Sequence, residues 1–335
     1  ITTIKSTIEL KRAGFSGNTL MSLLPHQWKK LDTGVNLTDK TYDSIRGTLK
    51  VYEGNSFTTV DHFNGIIPQF TEPENSEYSR NELINYLGWL ERELDNNYWV
   101  ADPYWHGKVM HPLASAILIA DQIEETELRD KLVSILHEIL ANWLTYSGED
   151  DVPYYMYYSP SWGTINGDGG DHGMAINLSD HHYLWAYFTY AAGVLGMYDE
   201  AFVRDYGAMV DLLIRDVGTP DREDEMFPYL RNFDPYEGHS WAGGYADNNS
   251  GANQEAAAEC LFAWVGQYLW GTVTENKEYI DAAIYLYTTE SYANKQYDYS
   301  STGTGGKNRY NTGQPVHPEN GESKGPKDYH TGGIV

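Results

Sequence analysis

The run RNFDPYEGHSWAGGYADNNSGANQEAAAE at 231–259 ends in two carboxylates, Glu255 and Glu259, four residues apart behind a turn-rich loop. Positions i and i+4 share a helix face, so the spacing predicts an acidic pair presented beside His239, Trp241, Asn253 and Gln254. Carboxylates among aromatic and amide groups suit glycosidic bond cleavage. Cleavage with inversion needs an acid to protonate the leaving oxygen and a base to activate water on the opposite ring face, with the carboxyls ~6.5–9.5 Å apart. One helix-borne pair cannot flank a sugar ring from both sides, so a third carboxylate must come from another segment. Asp180 is the best candidate, since it precedes His181, His182 and Tyr183 at a predicted helix start after a polar loop. Its competing role is an N-cap that accepts backbone N–H bonds. For Glu255 and Glu259 the competing reading is a solvated helix face; the following Ala-rich run and Cys260 argue instead for a closely packed helix, where unpaired carboxylates are costly.

These residues must be positioned by the elements around them. Residues 1–75 lack long helical periodicity and offer short β-prone pieces such as TLKVYEG at 48–54, which predicts a small mixed α/β lead-in. From about residue 79 the pattern turns helical, with Ser79 as a cap and Glu82 three residues on. Further helices are predicted at about 108–124, 127–146, 180–196, 199–217, 252–271 and 276–291. Residues 76–295 thus read as a helical unit, with the aromatic loops 147–178 and 218–251 forming a groove. The tail at 296–335 is rich in Gly, Ser and Asn and reads as extended or weakly ordered.

The 335 residues carry a net charge of -25, which disfavours a nucleic-acid partner and is indifferent to a neutral polysaccharide. Ten Trp and 28 Tyr, many set among Gly, Asp, Asn and His, supply faces for sugar rings as well as for a core. Cys260 is the only cysteine and is read as a core residue. No apolar run reaches the ~18 to 20 residues needed to span a bilayer, so no membrane partner is expected. The expected setting is secreted, with any leader removed. Candidate substrate contacts are Tyr104, Trp105, Trp162 and Trp241, read as loop aromatics, with His106, Lys108, His182, His239 and Asn253 as hydroxyl partners. Asp168, Asp171 and His172 fall short of calcium-loop spacing, so no metal and no cofactor are expected.

Four segments together carry a family resemblance: LLPHQW at 23–28 with SIRGTLKVYEGNSFTT at 44–59, DPYWHGK at 102–108, SDHHYLWAYFTYAAG at 179–193, and the 231–259 run. In this order they resemble glycoside hydrolase family 81, the inverting endo-β-1,3-glucanases; the FDPYEGHSWA and NQExxxE blocks are the specific part. The resemblance implies a mainly α fold, an (α/α) toroid of helical hairpins, preceded by a small β-rich segment. It implies Asp180 as general acid, Glu255 as general base, Glu259 as a neighbour that orients water or tunes Glu255, and a β-1,3-glucan substrate. The family's β-sandwich is absent from this chain, and the helices predicted are fewer than a full (α/α)6 toroid carries. Either the barrel is incomplete, the ends differ, or the chain is a portion of a longer protein.

Around the acid, the family's usual NDHHFHYG reads SDHHYLWA here, with Ser179, Leu184, Trp185 and Ala186 as replacements. These departures motivate two alternatives. One is a toroid hydrolase or lyase of different linkage preference; the other is a catalytically silent glucan-binding protein.

Overall fold

The computed structural model describes residues 1–11, 14, 17–68, 79–95, 102–146, 148, 154–167, 173–243, 254 and 256–297. The lead-in is built from β1 (Thr2–Glu9), β2 (Thr19–Leu23), α1 (Pro25–Trp28), β3 (Leu37–Ser44), β4 (Gly47–Gly54) and β5 (Ser56–Phe63). β1 pairs antiparallel with β5, Thr2 opposite Phe63, while β2, β4 and β3 form a three-stranded antiparallel sheet. Alternation along these strands places Met21, Leu23 and Phe57 in a small core, with Trp28, Leu31 and Tyr52 packed at its margin.

The remainder is helical: α2 (Arg80–Asp95), α3 (Pro103–Gln122), α4 (Thr126–Trp143), the short α5 (Met174–Asn177), α6 (His181–Gly196), α7 (Glu200–Gly218), α8 (Ala257–Val273) and α9 (Lys277–Tyr297). Two hairpins interrupt them, β6 (Met156–Ser159) with β7 (Thr164–Gly167), and β8 (Phe233–Asp234) with β9 (His239–Ser240). The fold is mainly α, of the toroid type predicted. Among the described residues the ring is open: α2 packs chiefly on α3 and α9 chiefly on α8, with no extensive contact between the two end helices.

α6 is the axis of this packing, with every residue from His181 to Leu195 buried, as an apolar surface on all sides requires. Its main neighbour is α8, with α3 and α7 also against it. Two glycines make the α6–α8 approach possible. A β-carbon on Gly266 would lie 2.4 Å from Thr189 Oγ1, and one on Gly193 would lie 2.8 Å from Leu269 Cβ. The main core is aromatic as well as aliphatic, with Trp143, Trp185, Trp264 and Trp270 all fully buried.

The lead-in is tied to the helical part at the β8–β9 loop and at α9. His26 Nδ1 lies 2.7 Å from the Tyr297 hydroxyl, Gln27 Nε2 donates to the Tyr236 carbonyl at 2.8 Å, and Arg46 pairs with Glu237 at 2.8 Å. Gly238 sits at φ 76° directly under His26, where a β-carbon would be 2.7 Å from Nε2. Only glycine meets both the backbone and the space requirement there.

Three sequence expectations need correction. α3 begins at Pro103, five residues earlier than predicted, because Asp102 accepts from the Tyr104 and Trp105 amides and Pro103 fills the first helical position. Tyr104 and Trp105 are therefore helix residues and not loop residues. α8 begins at Ala257, five residues later than predicted, after a non-helical Ala256 (φ −126°, ψ 76°); it carries Glu259, while Glu255 lies outside the described residues. The 147–178 stretch, predicted as loop, contains the β6–β7 hairpin, whose turn uses Gly163 at φ 58°. The predicted C-terminal tail lies outside the described residues, apart from its first two residues, which complete α9.

Candidate active site

Asp180 opens α6 in an unusual conformation. Its backbone is left-handed (φ 61°, ψ 12°), as is that of Leu178 (φ 49°, ψ 36°), and its carboxylate does not cap the helix. The Asp180 carbonyl accepts from the Tyr183 and Leu184 amides, and its amide donates to the Ala242 carbonyl at 2.8 Å. The backbone thus starts the helix while the side chain is left out of the capping role. A left-handed leucine and aspartate cost ~1–3 kcal/mol each, and such residues persist only where the surroundings hold them.

Those surroundings centre on Asp216 of α7, which has no solvent exposure. Oδ2 accepts from His181 Nδ1 at 2.8 Å and from Trp185 Nε1 at 3.0 Å. Oδ1 accepts from Thr164 Oγ1 at 2.8 Å and lies 3.3 Å from Arg231 Nε. Arg231 also donates to the Asp216 carbonyl at 3.0 Å and to the Gly163 carbonyl. One buried carboxylate therefore joins α6, α7, β7 and the 231 loop behind Asp180, with a guanidinium to offset its charge.

Opposite α6, Glu259 stands in the first turn of α8. Its Oε1 accepts from Lys108 Nζ at 2.7 Å, from Tyr104 OH at 3.2 Å and from Tyr187 OH. The Lys108 ammonium also sits 4.9 Å from the Tyr104 and Tyr187 ring centres. Burial alone would lower the Lys108 pKa, but the Glu259 and Tyr187 bonds raise it above its usual range. Burial, with Glu259 beside it, raises the Tyr187 phenol as well. Tyr104 and Lys108 are i and i+4 on α3, and so share a face. Tyr187 was not singled out from the sequence. It lies seven residues after Asp180, about two helical turns along the same face, and that spacing is the signal that could have found it.

The segment leading into α8 is held by Gln254. Its Oε1 accepts from Tyr183 OH of α6 at 2.7 Å, and its Nε2 donates to Ser240 Oγ at 3.0 Å. Glu255 and Asn253 lie outside the described residues, as do Asp168, Asp171 and His172. Glu255 is nevertheless bracketed by Gln254 and by Ala256, whose carbonyl accepts the Cys260 amide at 3.1 Å.

The remaining predicted contacts divide by exposure. Trp105 (53 % exposed) and Trp162 (60 % exposed) present their rings to solvent, the first against Tyr104 and the second at the β6–β7 turn. Trp241 is half-buried, edge-on to His239 at 4.5 Å and with the Arg46 guanidinium 5.7 Å from its ring. Three predicted hydroxyl partners turn inward instead. His182 has no exposed surface, its ring centre lies 4.1 Å from that of Tyr183 in a tilted arrangement, and neither ring nitrogen has a hydrogen-bond partner among the described residues. Burial lowers its pKa to about 3. His106 is buried and accepts from Trp143 Nε1 at 2.7 Å, and its pKa falls to about 4 for the same reason. His239 donates through Nδ1 to the Ser240 carbonyl at 2.7 Å; it too is lowered by burial, to about 4.

Residues 81–314 match the C-terminal domain of glycosyl hydrolase family 81. The chain belongs to glycoside hydrolase family 81. Among family relatives, it is 39 % identical over 291 residues to a glucan endo-1,3-beta-D-glucosidase of Acetivibrio thermocellus, an alignment covering 86 % of this chain and 37 % of the relative. A glucan endo-1,3-beta-D-glucosidase of Thermobifida fusca is 36 % identical, covering 85 % of this chain and 37 % of its own length. A solved family 81 structure from Clostridium thermocellum superposes with a TM-score of 0.81 at 37 % identity, covering 88 % of this chain and 41 % of that one. The chain therefore spans well under half the length of these family members. No helix among the described residues is long and apolar enough to cross a membrane.

Proposed function

We propose that this chain carries the catalytic helices of an endo-acting β-1,3-glucan hydrolase that inverts anomeric configuration, with Asp180 as general acid and Glu255 as general base. The observation that carries this reading is the start of α6: an aspartate held left-handed, two residues after a left-handed leucine, with its carboxylate withheld from capping. The chain's relatives are named as glucan endo-1,3-beta-D-glucosidases, which supports the substrate class. Glu259 already accepts from an ammonium and two phenols, so it is suited to holding an orientation and not to shuttling a proton. Its role in this scheme is to fix the polar wall next to Glu255. Tyr104, Lys108, Trp105, Trp162, Trp241 and Asn253 supply the sugar contacts, the exposed rings stacking on pyranose faces. The chemistry needs a protonated Asp180 and an ionised Glu255 on opposite faces of the scissile bond, with water admitted on the Glu255 side.

The test is hydrolysis of a linear β-1,3-glucan followed by proton NMR from the first minutes. The expected first product is the α-anomer, and Asp180→Asn and Glu255→Gln each lower the rate by about 10²–10⁴-fold while the protein stays folded. An initial β-anomer, an unsaturated product or full activity in either variant overturns the scheme.

A further inference from the structure

A second carboxylate with no solvent exposure, Glu290, lies on α9 and has no part in the scheme above. Its Oε1 accepts from the Ser240 amide at 2.7 Å, from Ser240 Oγ at 2.6 Å and from Gln254 Nε2 at 3.3 Å. Its Oε2 accepts from Trp264 Nε1 of α8 at 2.6 Å. Burial pushes its pKa up, and among the described residues no Lys or Arg pairs with it.

A fully buried carboxylate is an expensive way to hold two helices together, since an apolar side chain of similar volume packs as well or better. α8 and α9 already meet through buried apolar residues, among them Ala283 and Leu286. Three of the four bonds to Glu290 go elsewhere, to Ser240 and Gln254, which lie in segments without long regular structure. Gln254 is the residue immediately before Glu255, and consecutive Cα atoms are ~3.8 Å apart. Ser240 sits two residues before Ala242, whose carbonyl holds the Asp180 amide. The bonds of Glu290 therefore converge on the chain that carries the base and on the segment whose Ala242 carbonyl holds the amide of the acid.

We infer that Glu290 is a positioning residue for the hydrolytic reaction: through Ser240 and Gln254 it fixes the backbone that presents Glu255. The inference rests on the assignment of Glu255 as the base. Glu290 touches neither substrate nor water in this scheme, and its effect reaches the reaction only through the placement of its neighbour. A displacement of the base by a fraction of an ångström slows the chemical step more than it weakens ground-state binding.

The experiment compares Glu290→Gln, Ser240→Ala, their double variant and Glu255→Gln on a soluble β-1,3-glucan oligosaccharide, with thermal melting of each protein. Glu290→Gln keeps the shape but turns an amide N–H₂ toward a donor. The expected result is kcat reduced about 30-fold or more with KM within about twofold of the parent. Ser240→Ala, the milder change, is expected to lower kcat about tenfold at unchanged KM. The double variant should be no worse than Glu290→Gln alone, because both changes cut one chain of bonds. Parental kcat in a cooperatively melting Glu290→Gln overturns the inference. If that variant does not fold, parental kcat in Ser240→Ala overturns it equally. Glu255→Gln separates the two possible failures: full activity there removes the base assignment itself, whereas an inactive Glu255→Gln beside an unimpaired Glu290→Gln removes only the tie to Glu290.

Discussion

The two sides of the site are anchored differently. Behind Asp180, the Asp216 carboxylate is shared among His181, Trp185 and Thr164 with Arg231 alongside, and it clamps the first turn of a wholly buried helix. Behind Gln254, the Glu290 carboxylate is held by a backbone amide, a hydroxyl, an amide side chain and an indole, with no cation paired to it among the described residues. The first anchor is built into the scaffold, beside the left-handed start of α6. The second reaches out from the scaffold to a segment that has no helix of its own. Both carboxylates are satisfied by several donors and so fix the groups they join; only the first also has a counter-charge to lose.

That contrast can be broken most directly at Asp216. Asp216→Asn leaves Arg231 without its charge partner and forces an amide N–H₂ to face donors, so the unfolding free energy should drop by about 3–5 kcal/mol in a denaturant titration. A variant with unchanged stability and lowered kcat would make the acid side resemble the base side and remove the distinction. Lys108 offers a smaller and sharper probe. Lys108→Met keeps the stem that packs on Tyr104 and Tyr187 but removes the ammonium that pairs with Glu259, and kcat/KM should drop about 10- to 100-fold, or ~1.4–2.7 kcal/mol. Unchanged kcat/KM would reduce the Lys108–Glu259 contact to a half-exposed ion pair of little weight.

pH offers a further test, spread over several units. His182 is neutral in the folded state, with its pKa lowered to about 3, against about 6.5 for an unfolded histidine. The unfolded chain therefore takes up the proton first. The stability is fully present above about pH 6.5 and is lost as pH falls toward 3, by about 1.4 kcal/mol per pH unit for one such group. His26, His106 and His239 are lowered in the same direction and steepen the loss. His182→Phe should melt with a shallower acid dependence than the parent between pH 6.5 and 5, read by Tm against pH. An identical slope would mean that the acid side does not hold His182 neutral.

Legibility in the sequence followed how local each cause is. The start of α6 was readable because SDHHY places a helix boundary and a carboxylate together. The start of α3 was misplaced although Asp102–Pro103 is a start signal, since the aromatic and Gly-containing YWHGK obscured the helical period. The start of α8 was placed too early for a different reason. NQEAAAE favours a helix by propensity, but Gln254 bonds to Tyr183 and Ser240, and tertiary contacts override the local preference. Asp216 and Glu290 were not legible at all. Each is one of several acidic residues on its helix, and the partners that bury it lie dozens of positions away, 52 residues for Thr164 and 50 for Ser240. The apolar residues a helical turn away, Leu213 for Asp216 and Leu286 with Ala293 for Glu290, place both on an inward face, but an acidic residue there is not read as interior until its partners are known.

The fit of Gly238 under His26 bears on how this site can be rebuilt. Because the loop backbone at Gly238 leaves no room for a side chain beneath the imidazole, the PHQW turn and the FDPYEGHSW loop form a matched pair. Swapping that loop between scaffolds, or redesigning it for another polysaccharide, means carrying both pieces across as one cassette, though the sequence separates them by some two hundred residues.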